Sequence, residues 1–130
     1  MRPRHFRGIL VLVMAGAIIG CTRLGRAKDG SSAMRPPATA RITNNGWLDV
    51  NVFASISEAR QRLGTVTGQN THVFTLPERM IDARGLRIHI EPIGSEQSYQ
   101  TDLIALGPGQ QIDLVVQQRL SMSHYSVVDP

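Results

Sequence analysis

From Thr39 onward the sequence alternates apolar and polar side chains with a period of two, and glycine- or proline-bearing turns interrupt it about every ten residues. Such a period puts successive side chains on opposite faces of an extended strand and leaves little room for a long helix. The clearest instance is Leu86, Ile88 and Ile90 on one face against Arg87, His89 and Glu91 on the other. Ile112, Leu114 and Val116 repeat it within Gln110 to Gln118, directly after the turn Gly107-Pro108-Gly109. Asn70 to Leu76 carries it through Val73, Phe74 and Leu76 until Pro77 stops it, and residues 78–84 read as a loop with room for one helical turn.

Near the start of this region, Thr39 to Thr43 leads through Asn44-Asn45-Gly46 into Trp47 to Ala54, where Leu48, Val50, Val52 and Ala54 alternate with Asp49, Asn51 and Phe53. Asn-Gly between alternating segments is a strong hairpin signal, so these two strands are expected to pair. Ser57 to Leu63 has a helical-looking charge mix, but Gly64 and Gly68 bracket Thr65-Val66-Thr67 and favour a short strand with a bend or single helical turn near Ser57 to Ala59. Gln97 to Leu106 reads as a further strand, and residues 119–130 read either as an edge strand or as a surface tail.

Six to eight short strands with turns between them and no long helix predict an all-β fold, a small antiparallel β-sandwich over residues 39–130. The placement of turns over roughly residues 40–118 resembles transthyretin-like (prealbumin-like) and immunoglobulin-like modules of bacterial surface proteins. The chain lacks the Cys and Trp spacing of a true immunoglobulin domain. About 90 residues suffice for one core and are too few for two.

The N-terminus follows a different logic. Arg2, Arg4 and Arg7 precede Gly8 to Gly20, thirteen residues without a charged or strongly polar side chain. At ~1.5 Å per residue a helix of that length covers about 20 Å, short of the ~30 Å hydrocarbon core, so it reads as a signal-peptide segment. It ends in Ile18-Ile19-Gly20-Cys21, with the only cysteine of the chain. A lone cysteine in an apolar stretch also fits a small buried hydrophobe, and the stretch itself fits an uncleaved anchor.

Ile18, Gly20 and Cys21 resemble the lipobox of bacterial lipoproteins, with Ile19 bulkier than the usual residue at its position. The resemblance covers residues 1–21 and implies that the thiol of Cys21 receives diacylglycerol before residues 1–20 are cut away. Acylation removes the unpaired thiol an exported chain would otherwise carry, and two or three acyl chains anchor far more firmly than one. Thr22 lacks the acidic residue associated in some bacteria with inner-membrane retention, which favours the outer membrane where one exists.

Charge divides the same way. The net charge is +4, but residues 1–20 carry +3, residues 21–38 carry +3, and residues 39–130 hold seven arginines against nine acids, a balance of −2. The basic excess therefore belongs to the signal and to a Gly-, Ser- and Pro-rich tether, residues 21–38, and argues against nucleic acid as a partner of the folded part. Beside anionic headgroups such a tether contributes ~1 kcal/mol per basic residue, and its r.m.s. reach of roughly 20–25 Å holds a domain clear of the surface.

Catalytic signatures are missing: there is no Gly-x-Ser-x-Gly elbow, no phosphate-binding glycine loop and no His-Glu-x-x-His. His72, His89 and His124 stand at least sixteen positions apart, and His89 reads as a solvated residue of an outer strand face. Ser121, Ser123, His124 and Asp129 have the residue types of a triad but crowd a short segment, and Glu91, Glu96 and Asp102 match no calcium loop. Trp47 reads as a cap over the open end of the sandwich or as an exposed anchor, the cap being preferred because tryptophan is usually buried. Phe53, Tyr99 and Tyr125 form no spaced row.

The reading is thus a non-catalytic protein-binding or structural module without cofactor or metal, lipid-anchored at Cys21 to the cell membrane or outer membrane and facing the periplasm or cell exterior, with an envelope protein as partner. The alternative is a carrier or sensor of a small apolar ligand held between the sheets by residues such as Val50, Val52, Ile88, Ile90 and Leu114. A hydrolase using the histidines is the remaining possibility.

Overall fold

The computed structural model describes residues 35–81 and 84–129. Cys21, the signal segment 1–20 and most of the tether 21–38 lie outside the described residues. The described chain is a β-sandwich of two four-stranded sheets. In chain order the strands are β1 (Thr39–Asn44), β2 (Val50–Ile56), β3 (Ala59–Val66), β4 (Thr71–Thr75), β5 (Arg87–Pro92), β6 (Tyr99–Gln100), β7 (Gln111–Val116) and β8 (His124–Val128). The first sheet runs β4-β1-β7-β8 and the second β3-β2-β5-β6.

The alternation dictates the core. Ala40 and Ile42 of β1, Val52 and Ala54 of β2, Ile88 and Ile90 of β5, and Ile112 and Leu114 of β7 all have no accessible surface. They belong to one hydrophobic cluster drawn from both sheets. Burying each Val, Leu or Ile of this set contributes about 1.5–3 kcal/mol relative to leaving it exposed. At the margin between β6 and β8, Tyr99 and Tyr125 pack against the cluster. Burial there, with smaller contributions from Tyr125 and Asp102, raises the Tyr99 phenol above its ordinary value.

The expected pairing across Asn44-Asn45-Gly46 does not form. β1 pairs with β4 antiparallel and with β7 parallel, whereas β2 pairs with β3 and β5 in the other sheet. The segment crosses between sheets, and neither Asn45 nor Gly46 has the positive φ that a two-residue hairpin of the Asn-Gly kind requires. The Asn44 side chain is used differently, as an internal brace described below.

The hairpin falls instead at Ser57-Glu58, between the paired residues Ile56 and Ala59, with Ser57 at φ 51°. β3 then runs the full length of Ala59–Val66, where the sequence suggested a bend and a short strand. A register shift opposite Val52 and Phe53 leaves Leu63 as the extra residue, which breaks the period-two pattern.

Gln97 to Leu106 is also less regular than expected. Only Tyr99–Gln100 is strand, and an isolated bridge joins Leu86 to Ile104. Between them the Ile88 N–H donates to the Thr101 hydroxyl at 3.0 Å, so a side chain replaces a ladder carbonyl. The helical turn allowed after Pro77 is the 3-10 turn Glu78–Met80, and the C-terminal segment does supply an edge strand, β8.

Candidate functional site

β1 begins where the Thr39 N–H bonds the Gln110 carbonyl at 3.0 Å and ends beside Val116, the last residue of β7. Six strand residues separate those ends by ~17 Å. The loop after β1 therefore lies at the end of the sandwich away from chain entry, and it carries Trp47. Tryptophan does not cap the core here: Trp47 is 72% exposed, which corrects the expected buried role.

Its loop is nevertheless held from below. Asn44 is 1% exposed. Its Nδ2 donates to the Leu48 carbonyl at 2.8 Å and the Val66 carbonyl at 3.3 Å, while its Oδ1 accepts the Gly46 N–H at 3.0 Å. The Asn45 N–H reaches the Val116 carbonyl at 2.8 Å, and the Gln69 amide donates to the carbonyls of Asn45 and Gly46 at 2.7 and 3.1 Å. Asp49 accepts the Gly68 N–H at 3.0 Å through its carboxylate, and its carbonyl accepts the Ile93 N–H at 2.8 Å. Gly68 is required by proximity: a Cβ there would stand 2.4 Å from the Trp47 carbonyl oxygen.

Polar groups thus fix the backbone while apolar side chains face water. Leu48 and Ile93 are each 49% exposed, and Met122 in the loop after β7 is 63% exposed. Trp47 and Leu48 border a shallow cleft of about 80 Å³ shared with Pro92, Gln117, Gln118 and Leu120, and none of its lining residues is charged. Exposed apolar side chains on a braced loop beside an amide-lined cleft have the composition of a contact surface. A larger groove, about 980 Å³, lies at the opposite end between Pro36, Pro37, Leu76, Pro77 and Pro108, where the chain enters the domain.

Among the described residues the histidines lie on three different strands, β4, β5 and β8. His72 of β4 packs at the sheet margin against Phe74, with ring centroids 4.6 Å apart and the planes tilted by 53°. His124 lies at the start of β8, its Nδ1 3.4 Å from the Met122 carbonyl. Ser123 accepts the Gln117 N–H at 3.0 Å, and Asp129, beyond the far end of β8, accepts from Gln110 Nε2 at 2.9 Å. Neighbours in sequence here point to separate tasks. Glu91 pairs with Arg60 across the sheet at 2.6 Å, and no group of three or more His, Cys, Asp or Glu able to hold a metal occurs among the described residues.

His89 is not a simply solvated residue. It is half-buried on the outer face of the second sheet, and its Nε2 lies 2.6 Å from the Ser55 hydroxyl. Burial first, then Arg60 and Arg87, lower its pKa below the ordinary histidine value, with Glu91 opposing them. Period-two spacing put His89 on the outer face but gave no sign that Ser55, thirty-four positions away, stands beside it. The Arg60 guanidinium sits 3.8 Å above the Phe53 ring.

No family model matches the sequence, and no curated protein matches it. Among solved structures the chain is similar to the NMR structure of a protein from Eubacterium rectale, with 14% identity over 76% of this chain and 92% of that one, at a TM-score of 0.44.

Proposed function

We propose that this chain is a lipid-anchored protein of the cell envelope, held at the membrane by acyl chains on Cys21, with a non-catalytic β-sandwich that binds another envelope protein. The contact is made by the distal tip around Trp47. The observation carrying this reading is a tryptophan 72% exposed on a loop whose backbone is fixed by buried hydrogen bonds. A loop already ordered before binding loses little entropy when it binds, and tryptophan is among the residues that most often dominate interface energies. Covering its exposed part removes on the order of 150 Å² from water, roughly 3–4 kcal/mol before the costs of association.

The chain enters the sandwich at the start of β1, and Trp47 stands on the loop at the other end of that strand. A carrier would need space among Val50, Val52, Ile88, Ile90 and Leu114, and these side chains are 0–2% exposed within one packed cluster. The tip is therefore the place to seek the partner. Trp47→Ala should weaken partner binding at least 30-fold, about 2 kcal/mol, while leaving the thermal midpoint unchanged; undiminished binding would remove the tip from the account.

A further inference from the structure

The outer face of the second sheet holds a second place with its own chemistry. The domain as a whole carries a balance of −2, yet Arg60, Arg62 and Arg87 all stand on this face, and the acid on its strands, Glu91, is paired with Arg60. Register sets Arg60, Ser55 and Arg87 in one row across β3, β2 and β5. Arg60 leans away from that row over Phe53. On the other side of Ser55 a cleft of about 200 Å³ opens, lined by Ser55, Ser57, Arg84, Gly85, Arg87 and Leu103. With liquid water occupying ~30 Å³ per molecule, it has room for a small hydrated ion.

Among the described residues, every polar side chain lining the cleft can donate a hydrogen bond, and none is a carboxylate. Arg87 is exposed and forms no ion pair among the described residues, whereas Arg84 has an interaction of its own. Ser57 projects from the tight β2–β3 turn. Ser55 is nearly buried and bonds His89 Nε2. With the imidazole proton on Nε2, the Ser55 oxygen accepts it and the Ser55 O–H becomes available to a third group.

We propose that this cleft binds a phosphate-type oxyanion, held by the Arg87 guanidinium and by the Ser55 and Ser57 hydroxyls. A guanidinium offers paired donors that match two oxygens of a phosphate, and charge-assisted bonds of this kind are the stronger ones. The group is either a free phosphate ester or the phosphate of a lipid headgroup. His89 reports occupancy because it touches Ser55; the groups around it are Phe53 and Ser55 of β2, Arg60 of β3, Arg87 and Glu91 of its own strand, and Gln100 of β6.

The test is an NMR titration of the full chain, solubilised in a neutral detergent, with inorganic phosphate. Saturable shifts are expected at the amides of Ser55, Ser57, Gly85 and Arg87 and at the His89 ring. Arg87→Gln should weaken binding about tenfold or more, and Arg62→Gln, in a different row of the face, should leave it unchanged. Vesicles of phosphatidylglycerol that reproduce the same shifts, where phosphatidylcholine vesicles do not, would identify a headgroup as the source. Phosphate binding without that vesicle response would identify a free ester, and either outcome supports the site. Shifts spread evenly over Arg41, Arg60, Arg62 and Arg119, or an unchanged affinity in Arg87→Gln, would overturn it.

Discussion

The Asn44 amide, buried at the end of β1, donates to the carbonyl of Leu48 at 2.8 Å and so ties the exposed Trp47 loop to the core of the sandwich. The same side chain bonds Val66 in the other sheet and accepts the Gly46 N–H. One residue therefore joins both sheets to the loop that crosses between them.

Removing that brace should be costly. Asn44→Ala leaves the buried Gly46 N–H and the part-buried Leu48 carbonyl without their partner, and the expected loss is about 2–4 kcal/mol of unfolding free energy. Urea denaturation read by circular dichroism checks it. A loss below 0.5 kcal/mol would mean that the loop is held by its other bonds alone.

Gly68→Ala should act on the same loop from the other side. The new methyl would stand 2.4 Å from the Trp47 carbonyl oxygen and 2.8 Å from its carbon, both backbone atoms that cannot swing away. A destabilisation of about 1–3 kcal/mol is expected, accompanied by altered Trp47 fluorescence. Wild-type stability and emission together would contradict the close approach.

These two residues also show where the sequence was and was not legible. The inward sets of β1, β2, β5 and β7 followed from alternation alone, because a face packed on a core must be apolar at every second position. Asn44-Asn45-Gly46 misled because local turn preference cannot reveal whether the chain turns back within a sheet or crosses to the opposite one. The Leu63 bulge scrambled the period of β3, and the Thr101 hydroxyl, standing in for a carbonyl, ended the regular pairing of β6. Trp47 was misplaced for a related reason: burial statistics describe an average tryptophan, and only the tertiary position of its loop shows this one facing water. The contact between Ser55 and His89 depends on pairing in the β2–β5 ladder, which no local pattern encodes.

Stability should depend on pH through His89. Its folded pKa lies below 6.5, through burial first and then Arg60 and Arg87, so the unfolded chain binds the proton more readily. Where the unfolded state holds more protons, stability rises with pH. The contribution of His89 is therefore fully present above 6.5 and is lost as pH falls through 6.5 toward the folded value. His89→Asn should flatten that part of the profile, measured by urea midpoints between pH 5 and 8. An unaltered slope would show that the proton dependence arises elsewhere.

Anchoring at Cys21 has its own test. Cys21→Ala should release the mature domain into the soluble fraction or leave an uncleaved precursor, as seen by fractionation and intact mass. Normal processing with full membrane retention would sink the lipobox reading.

The most direct measurement is photocrosslinking in intact cells, with a photoreactive residue placed in the full chain at Trp47, at Ile93 or, as a control at the opposite end, at Pro108. One discrete protein adduct is expected from positions 47 and 93 and none from 108, with the adduct from 93 lost on Trp47→Ala. Equal adducts from both ends, or an adduct from position 108 alone, would contradict a binding surface at the distal tip.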